Sequence, residues 1–138
     1  MAKQEFPALF ERLKSMLEPY AKDMYVSADS PQWYGLDMAP ESERDPTTWF
    51  GATRLGKAYV SYYLMPVYVK PDLLDDVSPA LRKRMQGKSC FNFARVDEAL
   101  LGELEDLTKK GYEATAGDAD WGIAQRRERG MRVRAKAG

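Results

Sequence analysis

The sequence contains no histidine and a single cysteine, Cys90. Without histidine the chain cannot build a nucleophile pair of the Ser–His or Cys–His kind. One cysteine cannot close an internal disulfide, and without histidine it cannot complete the four ligands of a structural zinc site. Because Cys90 alternates with Phe91, Asn92 and Phe93 along a predicted strand, it shares one face with Asn92, and we expect a buried, inert thiol rather than a reactive one.

Long apolar runs are also missing. None approaches the ~18 residues that a membrane span needs, and the N-terminus lacks the charged-then-apolar pattern of a signal peptide. We therefore expect a cytoplasmic protein with no membrane partner. The phosphate-binding loop is absent as well, because Gly87-Lys88-Ser89 would need a glycine where Arg82 stands.

Charge is balanced over the whole chain but unevenly placed. The first 122 residues hold 15 basic and 20 acidic side chains, whereas residues 123–138 hold six basic and one acidic. The last segment has no apolar period, which is typical of a flexible tail. The sequence thus predicts a single α+β domain over 1–122 and a basic, flexible tail over 123–138.

The N-terminal segment has the apolar spacing of a helix. Its apolar residues recur at three- and four-residue steps, with Pro7 expected in the first turn. Pro19 is expected to kink this helix or to start a second short one. Residues 25–46 are harder to interpret, although Tyr25-Val26-Ser27 could begin a strand and Gln32-Trp33-Tyr34 could be another.

A β-hairpin is predicted in the middle of the chain. Residues 49–54 and 58–64 are rich in aromatic and β-branched residues, and a short connection containing Gly56 joins them. Residues 65–69 are expected to continue the second strand past a bend at Pro66.

The last third of the chain is predicted to hold two helices and a strand. Ser78 should cap a short helix that runs to Met85, and residues 89–93 should form a strand. Asp97 should cap a final helix with a leucine stripe. This order predicts an α+β fold whose mostly antiparallel sheet carries the N- and C-terminal helices on one face.

Aromatic residues of the hairpin are the leading candidates for a binding site. Alternation places Tyr59 and Tyr63 on one face of the second strand, and Trp49 with Gly51 and Thr53 on one face of the first. Rings with a few polar groups are typical of small-molecule pockets, although the outer side of a sheet packed by a loop has the same composition. The candidate ligand-binding residues are Trp49, Tyr59, Tyr63 and Tyr68.

Carboxylates are the main alternative chemistry. Asp72, Asp75 and Asp76 stand close together, and a second acidic group lies on the last helix. Oxygen ligands suit hard cations such as iron, so these residues are candidate metal ligands, against the alternative of a solvated surface. No catalytic residue is assigned.

Basic residues form a second alternative. Arg82, Lys83, Arg84 and Lys88 form a run that, together with the tail, could contact phosphates. The acidic charge of the first 122 residues argues against an extended nucleic-acid surface, so a nucleic-acid partner is not expected.

Three stretches of the chain carry a family resemblance. They are Trp49-Phe50-Gly51, Gly56-Lys57-Ala58-Tyr59-Val60-Ser61-Tyr62-Tyr63-Leu64-Met65-Pro66-Val67-Tyr68 and Gly87-Lys88-Ser89-Cys90-Phe91-Asn92-Phe93. They resemble the YdhG-like family of small, mostly uncharacterised bacterial domains. The resemblance implies a frataxin-like α+β fold, and one branch of that family is regarded as an intracellular iron chaperone.

The resemblance transfers no iron ligand to this chain. Frataxin holds iron with an acidic first helix, whereas the first helix here mixes Glu11 and Glu18 with Arg12 and Lys14. The leading prediction is a non-enzymatic domain of the YdhG-like family that binds a small ligand or a partner and needs no cofactor. Iron binding and nucleic-acid association through the tail remain the two alternatives.

Overall fold

The structure is a computed structural model that describes residues 2–38 and 49–116. The predicted basic tail lies outside these residues.

Helix α1, Ala2–Leu17, buries Phe6, Leu9 and Leu13 on one face, as its apolar spacing predicts. The helix begins earlier than predicted, so Pro7 lies inside it rather than in its first turn. Pro19 stands in a 3-10 helix, Glu18–Asp23, which confirms the predicted second short helix.

Five strands form one antiparallel sheet in the order β1-β2-β3-β4-β5. The strands are β1 Tyr25–Ser30, β2 Trp33–Asp37, β3 Trp49–Leu55, β4 Val60–Leu64 and β5 Cys90–Phe93. Each strand pairs with the next one along the chain, and β3 and β4 form the predicted hairpin.

The chain between β4 and β5 folds differently from the prediction. Residues 65–69 do not continue β4, because Met65 takes an α conformation and begins the short helix α2, Pro66–Val69. The ring of Pro66 suits the first turn of a helix, where its missing N–H leaves no bond unmade. A 3-10 helix, Pro71–Leu74, follows α2.

Helix α3, Pro79–Arg82, is capped as predicted but ends before Met85. The Ser78 hydroxyl accepts a hydrogen bond from the Leu81 N–H at 3.2 Å, and the same hydroxyl donates to a Glu103 carboxylate oxygen at 2.7 Å. Glu103 belongs to the last helix, α4, Glu98–Ala116. The cap therefore also attaches α3 to α4.

Both long helices lie on one face of the sheet, which confirms the predicted α+β class. A Cβ added at Gly51 of β3 would come 3.2 Å from Leu17 of α1, and Tyr62 of β4 is hydrogen-bonded to Thr108 of α4. The frataxin-like assignment stays a prediction. Within residues 2–38 and 49–116, no helix is long and apolar enough to cross a membrane.

A β-bulge changes which side chains of β3 share a face. Leu36 pairs with Gly51 and Asp37 pairs with Trp49, so Phe50 is the extra residue. Phe50 packs toward the helices, where its ring lies 6.2 Å from that of Tyr20. The prediction that Trp49 shares a face with Gly51 is therefore wrong, because the bulge turns Trp49 to the opposite face, which we call the outer face.

Candidate ligand site on the outer face of the sheet

Three aromatic rings from three neighbouring strands form a continuous stripe on the outer face. The ring of Tyr63 in β4 lies 5.4 Å from that of Trp49 in β3 and 6.0 Å from that of Trp33 in β2. Both pairs are tilted, with interplanar angles of 42° and 52°. All three side chains are partly exposed. We call Trp33, Trp49 and Tyr63 the aromatic stripe.

Two small residues allow the stripe to form. Strands β2 and β4 are separated by β3, which places them roughly 9–10 Å apart. Gly35 of β2 is paired with Ala52 of β3, and Ala52 is in turn paired with Tyr63 of β4. Because neither carries a side chain beyond Cβ, the indole of Trp33 can reach across them to Tyr63. Both are buried, and a Cβ added at Gly35 would lie 2.7 Å from the Ser27 hydroxyl oxygen and 3.7 Å from the indole nitrogen of Trp33.

A polar network borders the stripe. The side-chain oxygen of Asn92 in β5 accepts a hydrogen bond from the Ser61 hydroxyl at 2.7 Å and one from the Cys90 thiol at 3.5 Å. Its amide nitrogen donates to the Gln86 side-chain oxygen at 2.6 Å. Ser61 pairs with Asn92 and Tyr63 with Cys90 across β4 and β5, so the network adjoins the ring of Tyr63.

Cys90 is a partly buried member of this network. Burial raises its pKa, while hydrogen bonds with Ser61 and Tyr63 act in the opposite direction. A thiol whose pKa is raised holds little thiolate at neutral pH, and thiolate is the nucleophilic form. The site therefore has stacking and hydrogen-bonding groups but lacks an activated cysteine.

The four candidate residues from the sequence fall into two groups. Trp49 and Tyr63 lie together in the stripe. Tyr59 precedes β4, is 49% exposed and takes part in none of the ring contacts found in the described part of the chain. Tyr68 lies in α2, where the Lys88 ammonium stands 5.9 Å from the centre of its ring.

Sequence reasoning missed Trp33 as a site residue. The sequence pattern of Gln32-Trp33-Tyr34 indicates only a possible strand, and the partner ring of Trp33 is two strands away. The alternation of Trp33 with Gly35 was the available signal. A glycine two residues from a tryptophan on the same face of a strand leaves space in which the indole can lie flat against the sheet.

The candidate metal ligands are not brought together. Asp72, Asp75 and Asp76 are all exposed. Over the described ranges, no group of three or more acidic or cysteine side chains is arranged to hold a metal ion. Two acids of α4, Glu98 and Glu105, instead form ion pairs with Arg12 of α1, at 3.2 and 3.1 Å.

The fold and the site together define an α+β domain with an aromatic surface on its sheet. Comparisons of the chain with protein-family models, with curated proteins and with solved structures find no match.

Proposed function

We propose that this chain is a non-enzymatic binding domain whose outer face holds a small molecule with a flat heteroaromatic ring. The observation that carries the proposal is the aromatic stripe itself, with three partly exposed rings in contact across three strands. The resemblance of residues 49–93 to YdhG-like domains belongs to the same proposal, since two of the three rings lie in the resembling stretches.

The chemistry of the stripe fits such a ligand. Stacking of a heteroaromatic ring on an aromatic side chain contributes about 1–3 kcal/mol per ring. Ser61 and Gln86 stand at the border of the stripe with oxygen atoms that can accept further hydrogen bonds. Rings supply affinity, and the polar border supplies orientation, as in most small-molecule sites.

Tryptophan fluorescence tests the proposal directly. The chain has three tryptophans, of which Trp33 and Trp49 are in the stripe. Trp121 lies outside the described residues, so Trp121→Phe restricts emission to the site. We expect adenosine and uridine to change this emission with saturation, and ribose, which lacks the heteroaromatic ring, to leave it unchanged.

Matched variants locate the binding. Tyr63→Leu keeps an apolar side chain in the stripe but removes the ring, and should weaken nucleoside binding about tenfold, as expected for the loss of one stacking contact. Tyr25→Leu is the control, because Tyr25 is an exposed aromatic residue of β1 outside the stripe. Equal affinities in the two variants, or unchanged emission at millimolar nucleoside, would contradict the proposal.

A further inference from the structure

The segment between β4 and β5 forms a cleft. It is formed by α2, the following 3-10 helix, the end of α3 and the turn before β5, and its volume is about 690 Å³. Cavities of this size hold drug-sized ligands. Its lining residues are Val67, Tyr68, Pro71, Leu74, Arg82, Met85, Gly87 and Lys88. We call it the Tyr68 cleft, and it shares no residue with the stripe.

The lining of the Tyr68 cleft combines an apolar wall with positive charge. Pro71, Leu74 and Met85 are at least partly exposed and supply the apolar wall. Among the described residues that line it, the charged ones are the two cations Arg82 and Lys88, and none is a carboxylate.

The two cations are positioned by the fold. The Arg82 guanidinium donates a hydrogen bond to the Leu74 carbonyl oxygen at 2.7 Å, which holds it at the cleft and occupies one of its five N–H groups. The Lys88 ammonium stands over the ring of Tyr68 at 5.9 Å, a cation–π contact. In the described part of the chain, the ion pairs involve Arg12 and Lys14 and neither of these cations.

Space beside Lys88 remains open. Gly87 has a φ of +83°, the left-handed conformation that glycine adopts without strain. A Cβ added there would meet no atom within 4 Å. A ligand head group can therefore approach the backbone between Arg82 and Lys88.

We infer that the Tyr68 cleft binds an amphipathic organic anion, a carboxylate attached to an apolar chain. The carboxylate accepts hydrogen bonds from the remaining N–H groups of Arg82 and from the ammonium of Lys88. The apolar chain of the ligand lies on the wall formed by Pro71, Leu74 and Met85. A hydrogen bond from a cation to a carboxylate is among the stronger polar contacts, so the head group fixes the orientation of the ligand.

Octanoate is the probe for this site, and the measurement is a titration of the isotope-labelled protein followed through its backbone amide signals. Signals of residues 67–88 should shift with saturation. Octan-1-ol has the same chain without the charge and should bind at least about tenfold more weakly. Hexanoate has two methylenes fewer and should bind roughly 15-fold more weakly, because each buried methylene contributes about fourfold in affinity.

Neighbouring cations provide matched variants. Arg82→Gln and Lys88→Gln should each weaken octanoate about tenfold or more. Lys83→Gln is the control, because Lys83 follows Arg82 in the chain but lines a different cleft. Lys88→Gln leaves the Arg82–Leu74 hydrogen bond in place, so it carries the test if Arg82→Gln impairs folding.

Four outcomes would overturn the inference. They are the absence of octanoate binding at millimolar concentration, shifts confined to the aromatic stripe, equal binding of octan-1-ol, and unchanged affinity in Lys88→Gln. None of them bears on nucleoside binding at the stripe, which is measured separately by tryptophan emission.

Discussion

The phenol oxygen of Tyr62 in β4 lies 2.7 Å from the hydroxyl oxygen of Thr108 in α4, and both side chains are fully buried. Thr108 also donates to the Leu104 carbonyl oxygen at 2.9 Å. A hydroxyl has one proton to donate, so Tyr62 is the donor in the shared bond. The bond ties the sheet to the last helix within the core.

Removing the Thr108 hydroxyl should destabilise the protein more than removing the Tyr62 hydroxyl. Thr108→Val leaves the buried Tyr62 hydroxyl without an acceptor and should cost about 2–3 kcal/mol. Tyr62→Phe leaves Thr108 bonded to Leu104 and should cost about 1 kcal/mol. Urea unfolding measures both, and the double variant should lose less than the sum of the single losses. Additive losses would mean that the two hydroxyls are not coupled.

Tyr62 should also limit stability at alkaline pH. Burial raises the pKa of the Tyr62 phenol. Above pH ~10 the unfolded chain releases the phenol proton while the folded chain keeps it, so the free energy of unfolding falls, by up to about 1.4 kcal/mol per pH unit for one group. Below pH ~10 the phenol is protonated in both states, and the contribution of Tyr62 to the free energy of unfolding is fully present.

Unfolding measured between about pH 8 and 11 should show this loss, and Tyr62→Phe should reduce its slope. The slope should not vanish, because burial also raises the pKa of Tyr20 and Tyr34. Identical slopes for the variant and the parent chain would exclude Tyr62 as a source of the alkaline loss.

Two glycines of α4 should respond in opposite directions to the same substitution. A Cβ at Gly102 would meet no atom within 4 Å, whereas a Cβ at Gly111 would lie 2.9 Å from the Pro66 Cβ. Gly102→Ala should stabilise the protein by up to about 1 kcal/mol through helix propensity. Gly111→Ala has the same gain in propensity but forces α2 away from α4, and should be destabilising by about 1–3 kcal/mol.

Thermal unfolding compares the two glycine variants on one scale. Because the host helix and the substitution are shared, the difference between them isolates the contact with Pro66. A stabilised Gly111→Ala would show that α2 and α4 are not closely packed there.

Features set by local periodicity were predictable from the sequence. The apolar spacing of α1 and of α4 fixes their buried faces, and the Gly56 connection marks the hairpin of β3 and β4. Ser78 was recognisable as a cap because its hydroxyl has a local partner, the Leu81 N–H. The α+β class follows from these elements alone.

Features set by distant pairing were not predictable. The bulge at Phe50 depends on how β3 pairs with β2, so simple alternation assigned Trp49 to the wrong face. Trp33 meets Tyr63 only because Gly35 and Ala52 are in register between them. The run Val67-Tyr68-Val69 has β propensity, yet it is helical, because packing against neighbouring elements overrides a weak local preference.

Cys90 offers a chemical probe of the proposed ligand site. It is the single cysteine of the chain and pairs with Tyr63 across β4 and β5. Because burial raises its pKa, the folded protein should be alkylated by iodoacetamide at least about tenfold more slowly at pH ~8 than the urea-unfolded chain. The alkylation rate should rise with pH. The pH at the midpoint of this rise should be higher for the folded protein than for the unfolded chain, because the thiolate forms at higher pH in the folded state.

Bound nucleoside should slow this alkylation further, because a ring stacked on Tyr63 covers the approach to Cys90. Protection of Cys90 by adenosine should be lost in Trp33→Leu and retained in Tyr25→Leu. Ribose should not protect Cys90 in either variant. Mass spectrometry of the alkylated fraction over time gives the rates. Adenosine that changes tryptophan emission without protecting Cys90 would show that its ring does not stack on Tyr63, whereas protection that survives Trp33→Leu would remove Trp33 from the site.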